Sequence, residues 1–118
     1  MKNDSKGRLA HHIALFTPTG NRRILVGAGV HIWDVALAEG IRLPALCHQG
    51  RCLTCAGQLD GEGDFDQSDS DAYFPEDREA GFILLCTAKA CSDLRIRTHQ
   101  QYEMRRYRLS RGLPAPYS

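Results

Sequence analysis

The sequence predicts a small single-domain chain of the α+β class, and three observations predict it. Two apolar segments, residues 11–17 and 22–26, flank the turn sequence Pro18-Thr19-Gly20-Asn21 and read as a hairpin. One short run of helix formers follows at residues 32–39. Later strand candidates are brief and are separated by loops. A length of 118 residues argues for one domain with a modest core.

Each element has a local reason. In the turn, proline presets one dihedral and glycine accepts the left-handed one. In the helix, Ile32, Val35, Ala36 and Glu39 share one face, Gly40 supplies the C-terminal cap and Pro44 argues against continuation. Residues 43–56 hold three cysteines and Gly50 and read as a loop. Residues 56–59 form a short strand candidate, and residues 61–71 an acidic surface loop. Residues 75–79 (PEDRE) suggest one helical turn, with proline early and acids beside the positive helix end. Residues 82–86 read as a buried strand, and residues 94–98 (LRIRT) alternate as a half-solvated strand does. Residues 99–118 mix tyrosine and arginine, and a short helix followed by an irregular end is the most they suggest.

Composition narrows the class. The 42% hydrophobic and 25% charged content is ordinary for a globular chain. The longest apolar run, residues 82–86, is far below the roughly 18 residues of a membrane span, and residues 1–9 lack an apolar leader core. Neither secretion nor membrane insertion is expected. The net charge of +1 names no partner, but its distribution is uneven. Nine acids against one base (Arg78) lie between Asp60 and Glu79, while six arginines against two acids lie from Asp93 onward. Such two-ended fields steer charged partners more than they shape folds.

The five cysteines are Cys47, Cys52, Cys55, Cys86 and Cys91. An odd number, clustered and without an export signal, points to metal or redox chemistry before disulfides. The first three follow C-x4-C-x2-C and the fourth lies 31 residues later, the plant-type [2Fe-2S] spacing. Each iron of such a cluster is tetrahedral, with two bridging sulfides and two soft, anionic thiolates. One loop must therefore wrap the cluster, and a distant strand end closes the fourth position. Gly50 lets the backbone approach and aim N–H groups at sulfur, a main lever on potential. A four-cysteine zinc site is the competing reading, although zinc sites usually use two close pairs. A Rieske centre is unsupported, because His48 has no matching second Cys/His pair.

The segments LPALCHQGRCLTCAGQL, DQSDSD, EAGFILLC and SDLRIRTH together resemble the plant-type ferredoxins of cyanobacteria and plastids, from about His12 to His99. The resemblance implies a β-grasp fold, one [2Fe-2S] cluster and a one-electron carrier rather than an enzyme. It implies Cys47, Cys52, Cys55 and Cys86 as ligands, with Cys47 and Cys52 on the more exposed, reducible iron. Residues 1–10 are then a flexible N-terminus, 11–99 the ferredoxin domain and 100–118 a basic extension, as in the C-terminally extended ferredoxins of oxygenic phototrophs.

The departures are specific. Leu46 stands where the family has serine, Leu53 and Thr54 where it has two hydroxyl residues, and Arg51 where it has a small residue. Lost hydroxyl donors lower a potential and a nearby arginine raises it; the expectation is about −400 mV, within roughly 100 mV. The family's acidic C-terminal pair falls at Gln101 and Tyr102, and its exposed aromatic at Ala72, beside Tyr73 and Phe74. The expected partners are therefore protein electron donors and acceptors other than, or besides, the usual NADP+ reductase, met through transient, charge-steered contacts. A monomer is expected, in the cytoplasm or, for a processed form, the plastid stroma. The alternative function is a cluster- or zinc-stabilised binding module acting through its tail.

Other residues carry plainer expectations. Cys91 reads as a half-buried bystander rather than a ligand exchanged with Cys86. His48 reads as a solvated loop residue, Trp33 as core, and His11, His12, His31 and His99 have no metal spacing. Six arginines without a nucleic-acid motif argue for a tail that packs on the domain or meets an acidic protein. No nucleophile–base pair, phosphate-binding glycine loop or flavin motif is visible.

Overall fold

A computed structural model describes residues 10–45 and 53–116. Strands β1 (Ala10–Thr17) and β2 (Gly20–Gly27) form the opening hairpin, with Ile13 opposite Ile24. The Thr17 hydroxyl donates to the Gly20 carbonyl at 2.7 Å, and Gly20 takes a φ of 140°, which a side chain would resist. Alternation buries Ile13, Leu15, Ile24 and Val26 on one face and leaves Arg23 and Leu25 in water. Helix α1 (Ile32–Ala38) lays Ile32 and Ala36 on that apolar face. It ends in a Schellman motif: Gly40 N–H reaches the Leu37 carbonyl at 3.0 Å and Ile41 N–H the Ala36 carbonyl at 2.8 Å.

The remaining elements are β3 (Ala56–Leu59), β4 (Phe65–Asp66), α2 (Pro75–Glu79), β5 (Phe82–Leu84), β6 (Lys89–Ala90), β7 (Leu94–Arg97) and α3 (Gln101–Ser110). The main sheet has the order β2-β1-β7-β3-β5, with β1 and β7 parallel and the other pairs antiparallel. A mixed sheet crossed by one helix is the β-grasp arrangement of the α+β class. Ile83 of β5 and Leu94 and Ile96 of β7 complete the core beneath α1.

Alternation also assigns the second face. Ile83 points to the α1 side, so its neighbours Phe82 and Leu84 point away from it. There they meet α3, whose Met104 is fully buried in one apolar cluster with Ala56, Phe82 and Leu84. Tyr107 leans on Phe82 with ring centroids 5.6 Å apart. The sheet is thus covered by α1 on one side and, over β3 and β5 only, by α3 on the other.

Two details depart from the sequence expectation. β5 stops at Leu84, because residues 85–87 turn: Thr87 and Ala88 N–H groups both reach the Leu84 carbonyl. The turn serves α1, since the carbonyls of Ala88 and Leu85 accept from Ile32 and Trp33, two N–H groups a helix start leaves unpaired. The acidic loop contains β4, which pairs with β6 in a small second sheet. The short helix allowed for the extension is found at residues 101–110, docked on the body. Among the described residues, no helix is long and apolar enough to cross a membrane.

Candidate metal centre

Two of the four predicted ligands, Cys55 and Cys86, are brought together. Cys55 immediately precedes β3, and Cys86 lies two residues beyond β5. The antiparallel register sets Ala56 opposite Leu84, and Leu85 N–H donates to the Cys55 carbonyl at 3.2 Å. The same pairing carries the two side chains toward each other, so that the sulfurs stand 3.0 Å apart. Both residues are buried, at 1% and 3% exposure, among Leu53, Ala56, Phe82, Leu84 and Met104. Two thiols side by side in an apolar enclosure, closer than the about 3.8 Å that two thiolates adopt on one tetrahedral metal with bonds of about 2.3 Å, need only a small outward rotation to share one: soft ligands, water excluded, the pair set by backbone rather than by flexible side chains. Cys47, Cys52 and His48 lie outside the described residues. Among the described residues no three His, Cys, Asp or Glu side chains converge.

The Cys86 turn is held from beneath by a buried polar network that sequence reasoning did not single out. Gln67, 6% exposed, accepts from Leu84 N–H at 2.6 Å through Oε1. Its Nε2 donates to Ser70 Oγ at 2.8 Å and to Thr87 Oγ1 at 3.3 Å. Ser70 Oγ and Thr87 Oγ1 are themselves 2.6 Å apart. Gln67 therefore links the acidic loop to both sides of Cys86. The signal was a glutamine in an acidic, serine-bearing run, which reads as surface until the turn's polar groups are counted.

On the other flank, Trp33 Nε1 donates to the Leu43 carbonyl at 2.9 Å and fixes the chain entering the cysteine loop. Tyr73 is half-buried and its hydroxyl donates to the Phe82 carbonyl; burial pushes the phenol well above its ordinary value, so it remains a donor.

The extension reaches the cysteines through Met104 and is tied to α2 by an ion pair. Arg108 and Asp77 are both fully buried, with Arg108 Nη2 and Nε at 2.8 and 3.2 Å from the Asp77 oxygens. Arg108 also donates to the carbonyls of Ala72 and Pro114 at 3.0 and 3.1 Å and lies 4.8 Å from the centre of the Phe74 ring. Asp77 accepts from Phe74 N–H at 3.0 Å, capping α2. Neither residue was predicted as buried, because arginine and aspartate read as solvent-facing.

The other singled-out residues lie elsewhere. Cys91 is half-buried and lines a surface cleft with His11, Asp64 and Lys89, and its N–H donates to the Asp64 carbonyl. His31 Nε2 stands 2.7 Å from Asp69, whose carboxyl is held below its ordinary value by that bond and by Lys89. His11 is buried against β2, and His12 is exposed.

Comparison with known proteins converges on one family. The family described as the 2Fe-2S iron-sulfur cluster binding domain matches residues 16–91. The chain is 42% identical over 83 residues to "Ferredoxin-2" of Synechococcus sp., covering 70% of this chain and 76% of that protein. It is 43% identical over 70 residues to the heterocyst ferredoxin of Nostoc sp., covering 59% of this chain and 70% of that one. Among solved structures it resembles pectocin M2, with a TM-score of 0.72 and 29% identity over 80% of this chain. The matched part is 34% of the pectocin chain, so the likeness is to one portion of a longer protein.

Proposed function

From the premise that this chain belongs to the plant-type [2Fe-2S] ferredoxin family and carries one [2Fe-2S] cluster, we propose that Cys47, Cys52, Cys55 and Cys86 hold the cluster and that the protein passes single electrons at low potential to an acceptor other than, or in addition to, the usual NADP+ reductase. The observation that carries the ligand set is the buried Cys55–Cys86 pair at 3.0 Å, on the strand ends where the C-x4-C-x2-C loop and the distant fourth cysteine must meet.

The bound cluster supplies reversible one-electron chemistry. The chain's own residues do the rest. Leu53, Leu84 and Met104 keep water from the Cys55–Cys86 side. Gln67 holds the Cys86 turn, and Trp33 anchors the approach to the loop. With this side enclosed, Cys47 and Cys52 would hold the iron that exchanges electrons, as the family resemblance implies. The low-potential reading, about −400 mV, rests on four thiolates without histidine. The departure from the reductase partner rests on Gln101 and Tyr102, which stand in place of the family's acidic pair and open α3. Residues 11–99 are then the ferredoxin domain and residues 100–118 an extension that packs on it.

The test is cluster content in single variants purified anaerobically. Cys86→Ser is expected to lose the cluster or alter its spectrum, and Cys91→Ser to retain it unchanged. The opposite pattern would reassign the fourth ligand.

A further inference from the structure

α3 covers only β3 and β5, so no helix among the described residues lies over the outer face of β1, β2 and β7. Register places Arg23 opposite Ala14, Ala14 opposite Arg95, and Phe16 opposite Arg97. The small Ala14 leaves a trough between flanking arginines, lined by Phe16, Arg22, Arg23 and Arg95. A second cleft, of about 340 Å³, adjoins it through Arg22 and is lined by Thr17, Thr19, Arg42 and His99. Burial holds His99 below its ordinary value, so the charge of this cleft is arginine charge.

Topology puts these clefts beside the redox thiols. β1 and β7 run parallel and finish at one end of the sheet, where antiparallel β3 begins. Gln100 N–H, directly after His99, donates to the Ala56 carbonyl at 2.9 Å, and Ala56 directly follows Cys55. Neighbouring strands are about 4.8 Å apart, so the clefts lie within a few strand spacings of the Cys55 backbone.

Apart from Arg95, which pairs with Asp60, the arginine charge there is uncompensated among the described residues. Among the described residues no carboxylate lies within 4.0 Å of Arg23, Arg42 or Arg97. Several acids, by contrast, are engaged within the fold: Asp69 by His31 and Lys89, Asp77 by Arg108, Asp60 by Arg95. The sequence presents an acidic run, but folding neutralises part of it and leaves a positive field at the cysteine end.

We propose that this end of the sheet, through Arg22, Arg23, Arg42 and Arg97, docks an acidic protein partner, with a partner carboxylate entering the Arg22–Arg42 cleft. The proposal rests on the electron-carrier reading and adds the sign of the partner's surface. The Arg22–Arg42 cleft has room for a partner carboxylate between its two guanidinium groups, and Phe16, which lines the adjoining trough, is half-buried 5.2 Å from the Arg95 guanidinium rather than offered to a base.

The test uses the holoprotein with two haem proteins, the acidic cytochrome b5 and the basic cytochrome c. In each reaction one electron leaves the reduced protein and ferric haem becomes ferrous, with no atom or proton transferred. At low salt, Arg42→Glu with Arg97→Glu should slow reduction of cytochrome b5 on the order of tenfold and speed that of cytochrome c. The neutral pair Arg42→Gln with Arg97→Gln should fall between, and the differences should collapse in about 0.5 M salt. An unchanged cytochrome b5 rate in both variants would overturn the proposal, as would tighter binding of a mixed-sequence oligonucleotide than of cytochrome b5. Titration of the oxidised protein with oxidised cytochrome b5 reads docking without electron transfer. Arginine-dependent docking without reduction would therefore sink the carrier reading and leave the surface standing.

Discussion

Replacing Arg108 with alanine tests whether the extension is part of the domain. The substitution removes two contacts to Asp77, at 2.8 and 3.2 Å, and the donors to Ala72 and Pro114. Asp77 remains fully buried with the Phe74 N–H still donating to it. Breaking a buried pair by deleting one partner costs about 3–5 kcal/mol, because the remaining charge is stranded, whereas an exposed pair is worth about 0–1 kcal/mol. The loss should appear where Arg108 acts, in the docking of α3 against α2. Hydrogen exchange on the holoprotein reads it directly. Protection of the α3 amides is expected to fall by at least about 100-fold, the equivalent of roughly 3 kcal/mol. Arg108→Lys, which keeps the charge and loses the fork, should fall between. A change below about fivefold, roughly 1 kcal/mol, would refute the reasoning and return α3 to a surface appendage.

Other perturbations bear on the site and its frame. Gln67→Leu strands the Leu84 N–H beside Cys86, at about 1–3 kcal/mol for an unsatisfied buried group; the visible absorbance should decay faster in urea than in wild type, and an unchanged rate would remove Gln67 from the support of the turn. Gly57→Ala places a Cβ 2.8 Å from Ile96 Cγ2 and 3.1 Å from the Arg97 carbonyl; overpacking there should cost about 1–3 kcal/mol in thermal stability, and a neutral result would show that β3 yields. Asp66 is held below its ordinary value chiefly by hydrogen bonds from Ser68, so its contribution is present above the unfolded pKa and is lost as pH falls through the folded one. Ser68→Pro removes the N–H donor as well as the hydroxyl, and NMR titration should then find the Asp66 carboxyl titrating higher, toward its ordinary value.

Much of the frame was legible because its signals are local. The hairpin is marked by Pro18 and Gly20, α1 by Gly40, and α2 by Pro75 with its acids. The two-residue strands β4 and β6 were not legible, because a pair of residues has no period to read and their pairing is set by tertiary contact. The site divides the same way. Spacing together with the family resemblance singled out Cys55 and Cys86, since ligand chemistry constrains sequence directly, but their approach follows from the Ala56–Leu84 register, a long-range fact. Gln67, Asp77 and Arg108 were missed because a polar residue is read as solvated unless its partner is known. Arg108 lies four residues after Met104, so one face of α3 carries both; that spacing, with tyrosine at 107, was the available clue.

The central claim is a single reducible cluster on Cys47, Cys52, Cys55 and Cys86, and its most direct test is electron paramagnetic resonance of anaerobically purified protein before and after dithionite. The account predicts a silent oxidised state, visible bands that bleach on reduction, and a rhombic S = 1/2 signal of about one spin per chain. A colourless protein that retains zinc and gives no signal on reduction would contradict it.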